Sequence, residues 1–105
     1  MTKEHAIMNA IRLWCGEHDV LCFRCNVGKV KTETGVWFDT GLPEGFPDLL
    51  IFPGKGIVIC CEAKTLKGKQ RDAQINFQRV VEEKGYTYIV ARSVEDVKKI
   101  VAPLL

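Results

Sequence analysis

Gly45-Phe46-Pro47-Asp48-Leu49-Leu50-Ile51-Phe52-Pro53-Gly54-Lys55-Gly56-Ile57-Val58-Ile59-Cys60-Cys61-Glu62-Ala63-Lys64 is the stretch around which the chain is organised. Two apolar runs, Leu49 to Phe52 and Ile57 to Cys61, flank a Pro53-Gly54-Lys55-Gly56 turn. Each run carries charge at the end farther from the turn. That is the pattern of a buried β-hairpin. The register that sets Phe52 opposite Val58 also sets Asp48 directly opposite Glu62, and Lys64, two residues on, shares their face. A register shorter by one residue would place Asp48 opposite Cys61 instead. Directly opposed Cβ atoms lie roughly 4.5 to 5.5 Å apart, and like charges there are destabilising. A divalent cation would relieve the repulsion, since Mg²⁺ takes one or two carboxylates and completes its shell with water and phosphate. The pleat turns the Ala63 side chain away, so its carbonyl is available to the same metal. Taken singly, the three residues also read as a Pro-Asp turn and a solvated pair at a strand end.

Pro47-Asp48, thirteen intervening residues and Glu62-Ala63-Lys64 match the PD-(D/E)XK pattern of metal-dependent nucleases. The wider set is G-x-P-D-L at 45–49, E-A-K-T-x-K-G at 62–68, and Gln74 six residues beyond that glycine. This set resembles the VRR-NUC domain, a small virus-type replication-repair nuclease found in phages and appended to a eukaryotic DNA-repair nuclease. The resemblance runs from Glu4 to about Val101. It implies a restriction-endonuclease-like α/β (α+β) fold and hydrolysis of DNA to a 5′-phosphate and a 3′-hydroxyl. It also implies a standalone homodimer acting on branched DNA such as four-way junctions. By resemblance Gln74 belongs to the site, and Glu4, on the first helix, is a third carboxylate for the metal or its water. Glu4 also reads as an acid favouring the helix N-terminus. A serine usually stands three residues before the family's glutamine, and Arg71 occupies that place.

At 105 residues the chain has room for one domain, 1–105, burying about two-thirds of its surface on folding. Fifteen Lys and Arg against thirteen Asp and Glu leave a net charge of +2, too mild to imply nucleic-acid binding. Distribution says more: Lys64, Lys67, Lys69 and Arg71 fall within eight residues beside the proposed site. They read as a phosphate-binding patch or as a solvated loop. No apolar run approaches a membrane span, and the start of the chain reads as an amphipathic helix, so a cytoplasmic protein is expected, in the host cell if viral. Five cysteines without secretory context are expected to be reduced. Cys22-x-x-Cys25 has the spacing of zinc or redox sites, but residues three apart on a strand face opposite ways, and no second Cys or His pair has suitable spacing.

In chain order, a helix is expected from about Lys3 to Glu17, capped by Thr2, with Ile7, Ala10, Ile11 and Trp14 on its core face. A strand over Leu21 to Val27 alternates Leu21, Phe23, Cys25 and Val27 against Cys22, Arg24 and Asn26. Arg24 binds a phosphate if its face looks toward the site and is solvent-facing if not. Periodicity fades from Lys29 to Glu44. Within it Val36-Trp37-Phe38 reads as a short strand covering the core, or as an aromatic contact for DNA bases or a partner subunit. Lys67-Gly68-Lys69 is a loop. A helix from about Arg71 to Lys84 follows, ended by Gly85, with Ala73, Phe77, Val80 and Val81 inward, Gln74 beside Gln70 at the stripe's edge, and Ile75 outward. Tyr86 to Ala91 is the last strand. Ser93 caps a final helix that buries Val97, Ile100 and Val101. The order α-β-β-β-α-β-α makes a three-layer sandwich with a mixed sheet.

No Gly-rich nucleotide loop is present, and no serine or cysteine nucleophile has an evident histidine partner. Taken with the resemblance, the sequence is expected to encode a Mg²⁺- or Mn²⁺-dependent deoxyribonuclease. Asp48, Glu62 and the Ala63 carbonyl hold metal, Lys64 orients water or stabilises phosphorane charge, and Gln74 positions Lys64, the water or a phosphate. Arg24, Lys67, Lys69 and Arg71 are the DNA-binding candidates. Two other readings are a non-catalytic DNA-binding or assembly module with the same fold, and a thiol redox protein using Cys22 and Cys25.

Overall fold

A computed structural model describes residues 1–105. Helix α1 (Lys3–Glu17) starts where the Thr2 hydroxyl accepts the His5 N–H at 3.1 Å. Its buried stripe is Met8, Ile11, Trp14 and Cys15, turned from the expected one so that Ile7 and Ala10 lie at its margin. The small Cys15 is what lets the helix sit close over the sheet, in one cluster with Val20, Cys61 and Leu49.

The central sheet holds β1 (Leu21–Arg24), β4 (Leu49–Gly54), β5 (Ile57–Ala63) and β6 (Thr87–Ala91), in the order β1-β4-β5-β6. β5 and β6 are parallel and the other pairs antiparallel. Helix α2 (Asp72–Glu83) makes the crossover between the parallel strands. Helix α3 (Val94–Val101) and a 3-10 turn (Ala102–Leu104) end the chain. α1 and α3 cover one face around Ile11, Leu49, Ile51, Ile59, Val97 and Val101. α2 covers the other, where Cys60, Val81 and Tyr88 are buried among Leu50, Phe77 and Val90. This is the expected three-layer mixed-sheet sandwich. No helix is long and apolar enough to cross a membrane.

The chain adds two strands to the expected order. β2 (Lys29–Lys31) and β3 (Trp37–Asp39) form a separate antiparallel ribbon. The Val36-Trp37-Phe38 segment does not cover the core; Trp37 is 61% exposed, and its neighbours are comparably open. β1 stops at Arg24 instead of running to Val27. Only Cys25 continues the pairing, donating its N–H to the Asp48 carbonyl at 2.8 Å, before Gly28 (φ +76°) turns the chain into the ribbon. Leu21 and Phe23 are exposed and Cys22 packs inward. α1 covers the Cys22 face of this edge strand, whereas the α2 cluster is built on β4, β5 and β6.

The β4–β5 hairpin turns at Lys55-Gly56, both at positive φ (58° and 76°), as a two-residue hairpin turn requires. Pro53 and Gly54 therefore belong to β4 and not to the turn. Pro53 has no N–H for the ladder, and the register slips by one residue between Ile51 and Gly54. The Phe52–Val58 pairing is lost at this bulge. Beyond it the expected register holds, with Ile51 opposite Ile59, Leu50 opposite Cys60 and Leu49 opposite Cys61. Continued one residue past the last paired position, that register sets Asp48 opposite Glu62.

Three details of the second half also differ from expectation. Tyr86 precedes β6 and is exposed, Ile100 is 41% exposed while Val97 and Val101 are buried, and Ser93 makes no side-chain cap bond. Asp96, one turn into α3, instead accepts the Arg92 N–H at 2.9 Å.

Candidate active site

The pleat of β5 sends Ile59, Cys61 and Ala63 toward α1 and α3, and Cys60 and Glu62 toward α2. Glu62 thus enters the α2 layer at the carboxyl ends of the two parallel strands, with 0% exposure. Its Oε1 accepts the Tyr88 hydroxyl at 2.8 Å and the Gln70 amide. Its Oε2 is buried with no hydrogen-bond donor. The cation beside it is Lys64, with Nζ at 3.8 Å. Leaving a buried polar atom without a partner costs about 1 to 3 kcal/mol, and more for a charged one. An oxygen so placed fits a cation as its partner.

Asp48 stands across the hairpin from Glu62, just before β4. Its Oδ2 accepts the Ala63 N–H at 2.8 Å, so the carboxylate replaces the next rung of the ladder. The preceding loop is fixed by Gly45 (φ +88°), where a Cβ would stand 2.4 Å from the Ala73 carbonyl oxygen. Only glycine allows the loop to cross the start of α2 this closely.

Lys64 lies between the layers. Its N–H is bound to the Ala91 carbonyl at 2.9 Å, and its Nζ is 3.9 Å from Glu4 Oε1 as well as 3.8 Å from Glu62 Oε2. Glu4, expected as a third carboxylate, is therefore brought to the site through Lys64. No group of three or more His, Cys, Asp or Glu side chains comes together as a metal cage. Asp48 and Glu62 are the carboxylates at this end of the hairpin, one or two carboxylates being what Mg²⁺ uses when water and phosphate supply the rest.

Gln74 is 5% exposed, but its Oε1 accepts the Arg71 N–H at 2.9 Å and so serves the start of α2. The reciprocal half of a capping box is chemically closed, because a guanidinium has no acceptor. Gln70, on the loop before the helix, is the glutamine that reaches Glu62. Its amide also donates to Gln78 Oε1 at 2.8 Å. Tyr88, Gln70 and Gln78 were not candidates from sequence, although Gln70, Gln74 and Gln78 recur every four residues, one turn apart on a helix. Burial, followed by its bond to Glu62, pushes the Tyr88 phenol above its ordinary range, so it remains a proton donor.

Lys67, Lys69 and Arg71 are exposed on the segment after Lys64 and take part in no ion pair. That segment is clasped by Arg92, whose guanidinium donates to the carbonyls of Thr65, Leu66 and Gly68, the last at 2.7 Å. Arg92 is a further residue that sequence reasoning missed. Arg24 is exposed opposite Leu49. It is on the face that α1 covers, opposite to the one carrying Glu62, so it does not join the cluster.

All five cysteines are free. Cys22 is pushed up by its hydrogen bond with Cys15 and by burial, and Cys25 by burial and the Asp48 charge. Reactive thiols require the opposite shift, which neither Cys22 nor Cys25 shows; the thiol that is lowered is Cys15, buried and hydrogen-bonded to Cys22.

No family model and no curated protein matches the sequence. By structure the chain is similar to a solved VRR_NUC domain, with a TM-score of 0.69 at 20% identity over 97% of each chain. The resemblance carried by Pro47-Asp48 and Glu62-Ala63-Lys64 thus extends to the fold of almost the whole chain, and that fold is the one of a VRR_NUC domain.

Proposed function

We propose that the protein is a metal-dependent deoxyribonuclease, folded as a single domain, whose site is Asp48, Glu62, the Ala63 carbonyl and Lys64. The observation that carries this reading is Glu62 Oε2, a fully buried carboxylate oxygen without a donor, at the end of a hairpin whose partner strand presents Asp48. The VRR_NUC fold supports it.

Mg²⁺ or Mn²⁺ held by these oxygens would polarise a phosphodiester and lower the pKa of a bound water. The protein's own groups do the rest. Lys64 brings a positive charge beside Glu62, where it orients the attacking water or stabilises charge on the phosphorane. Gln74 accepts the Arg71 N–H and so fixes the first turn of α2, where the loop from Thr65 to Arg71 ends. Lys67, Lys69 and Arg71 project from that loop and are free to bind DNA phosphates.

Branched DNA, four-way junctions in particular, is the proposed substrate, cut by a homodimer. Two symmetric nicks call for two sites related by a two-fold axis. Ile75, 52% exposed, and the open Trp37-Phe38 edge are apolar surfaces of the kind a second copy would cover. The test is incubation of the protein with labelled duplex, flap and four-way-junction DNA in Mg²⁺, Mn²⁺ or chelator. Cleavage in metal alone, strongest on the junction, is expected. Tight DNA binding without cleavage in any metal would favour a non-catalytic DNA-binding module instead.

A further inference from the structure

The two oxygens of Glu62 are treated very differently by the fold. A carboxylate offers about four lone-pair sites. On Glu62 both donors converge on Oε1, Tyr88 from β6 and Gln70 from the loop before α2. Oε2 has none and faces Lys64.

The Gln70 amide cannot be turned over. Its nitrogen donates both to Glu62 Oε1 and to Gln78 Oε1; reversed, it would set its oxygen against two acceptors. Gln78 in turn is carried by α2. The Tyr88 ring is held by Cys60 and Val81 independently of its hydroxyl. The orientation of one carboxylate is thus fixed from three separate elements.

We propose that Tyr88 and Gln70 are positioning residues that hold Glu62 Oε1 so that Oε2 alone is offered to the cation. This rests on the metal site proposed above and specifies how Glu62 would serve it: as a one-oxygen ligand, pre-aimed before the ion arrives. Partners that orient a ligating carboxylate commonly account for a 10- to 100-fold difference in metal affinity.

The experiment is isothermal titration of Mn²⁺ into the DNA-free protein at 25 °C, comparing wild type, Tyr88→Phe and Gln70→Ala. Tyr88→Phe removes only the hydroxyl. Each variant is expected to bind Mn²⁺ roughly 10- to 100-fold more weakly than wild type. A purely structural tyrosine would lower the melting temperature in chelator and leave the dissociation constant unchanged; that result would overturn the proposal while the metal site stood. If wild type itself bound no Mn²⁺, the metal site would fall, and the positioning role with it. Should Tyr88→Phe fail to fold, Gln70→Ala, on a half-buried loop, carries the same test with the same two outcomes.

Discussion

The Asp48 carboxylate accepts the Ala63 N–H at 2.8 Å, joining β4 to β5 at the point where their main-chain ladder gives out. One acid therefore has two tasks, closing the hairpin and facing Glu62. Asp48→Ala loses the hydrogen bond, worth about 1.5 to 3 kcal/mol for a charged acceptor, and regains only part of that by relief of the repulsion from Glu62, so a net destabilisation of the metal-free protein is predicted. Asp48→Asn keeps an acceptor and removes one of two opposed charges, so its loss is smaller. Wild type should gain about 2.7 kcal/mol from metal at a hundred times Kd, and both variants far less. Thermal melts in Mn²⁺ and in chelator check this; an equal metal response in all three proteins would separate Asp48 from the metal.

Gly45→Ala is predicted to cost roughly 1 to 3 kcal/mol. The residue combines positive φ with a backbone carbonyl in the space of the new methyl group. Urea denaturation would detect the loss as a lower midpoint. An unchanged midpoint would mean that the loop over Ala73 is free to shift.

Arg92→Ala should release the Thr65–Gly68 segment. Three carbonyls lose their shared donor, while the core on either face keeps its packing. Trypsin cleavage after Lys67 or Lys69 is expected to accelerate well before global unfolding. Cleavage at the wild-type rate would show that the loop is held by something other than the guanidinium.

Lys67, Lys69 and Arg71 should act on DNA through phosphates, without regard to sequence. Each one neutralised is predicted to lower the slope of log affinity against log salt by about 1. Filter binding in chelator, across a salt series, reads the slope. An unchanged slope in the triple alanine variant would place the DNA elsewhere, and Arg24→Ala supplies the contrast from the opposite face.

What could be read in the sequence was what depends on short-range pattern. Asp48 and Glu62 end two apolar runs, and the alternation of those runs set the far end of the hairpin register even though Pro53 shifted the near end. A short strand at Val36-Trp37-Phe38 was legible, but its partner β2 and its place off the core were not, because three-residue strands without a buried face carry no periodicity. Tyr88 and Gln70 escaped for another reason. Tyr88 meets Glu62 through the parallel register that sets Cys60 beside Tyr88, which nothing local in Thr87–Ala91 encodes, and Gln70 only because the loop before α2 folds back on the end of β5. Arg92 likewise acquires its role only when β6 is laid next to β5 and brings the loop after Lys64 within reach. The direction of the Leu21 and Phe23 face was open in the sequence, because alternation shows two faces without showing which one a helix will cover.

The most direct test of the account is the single-turnover rate of metal-dependent cleavage by wild type and by Glu62→Gln and Lys64→Ala, on labelled four-way-junction DNA in Mn²⁺. Circular dichroism would confirm that each variant is folded. Loss of a group that stabilises transition-state charge commonly costs about a hundred- to a thousandfold in rate, and the account predicts a loss of that order for each substitution, with no cleavage by any of the proteins in chelator. Cleavage by folded Glu62→Gln or Lys64→Ala at close to the wild-type rate would contradict it.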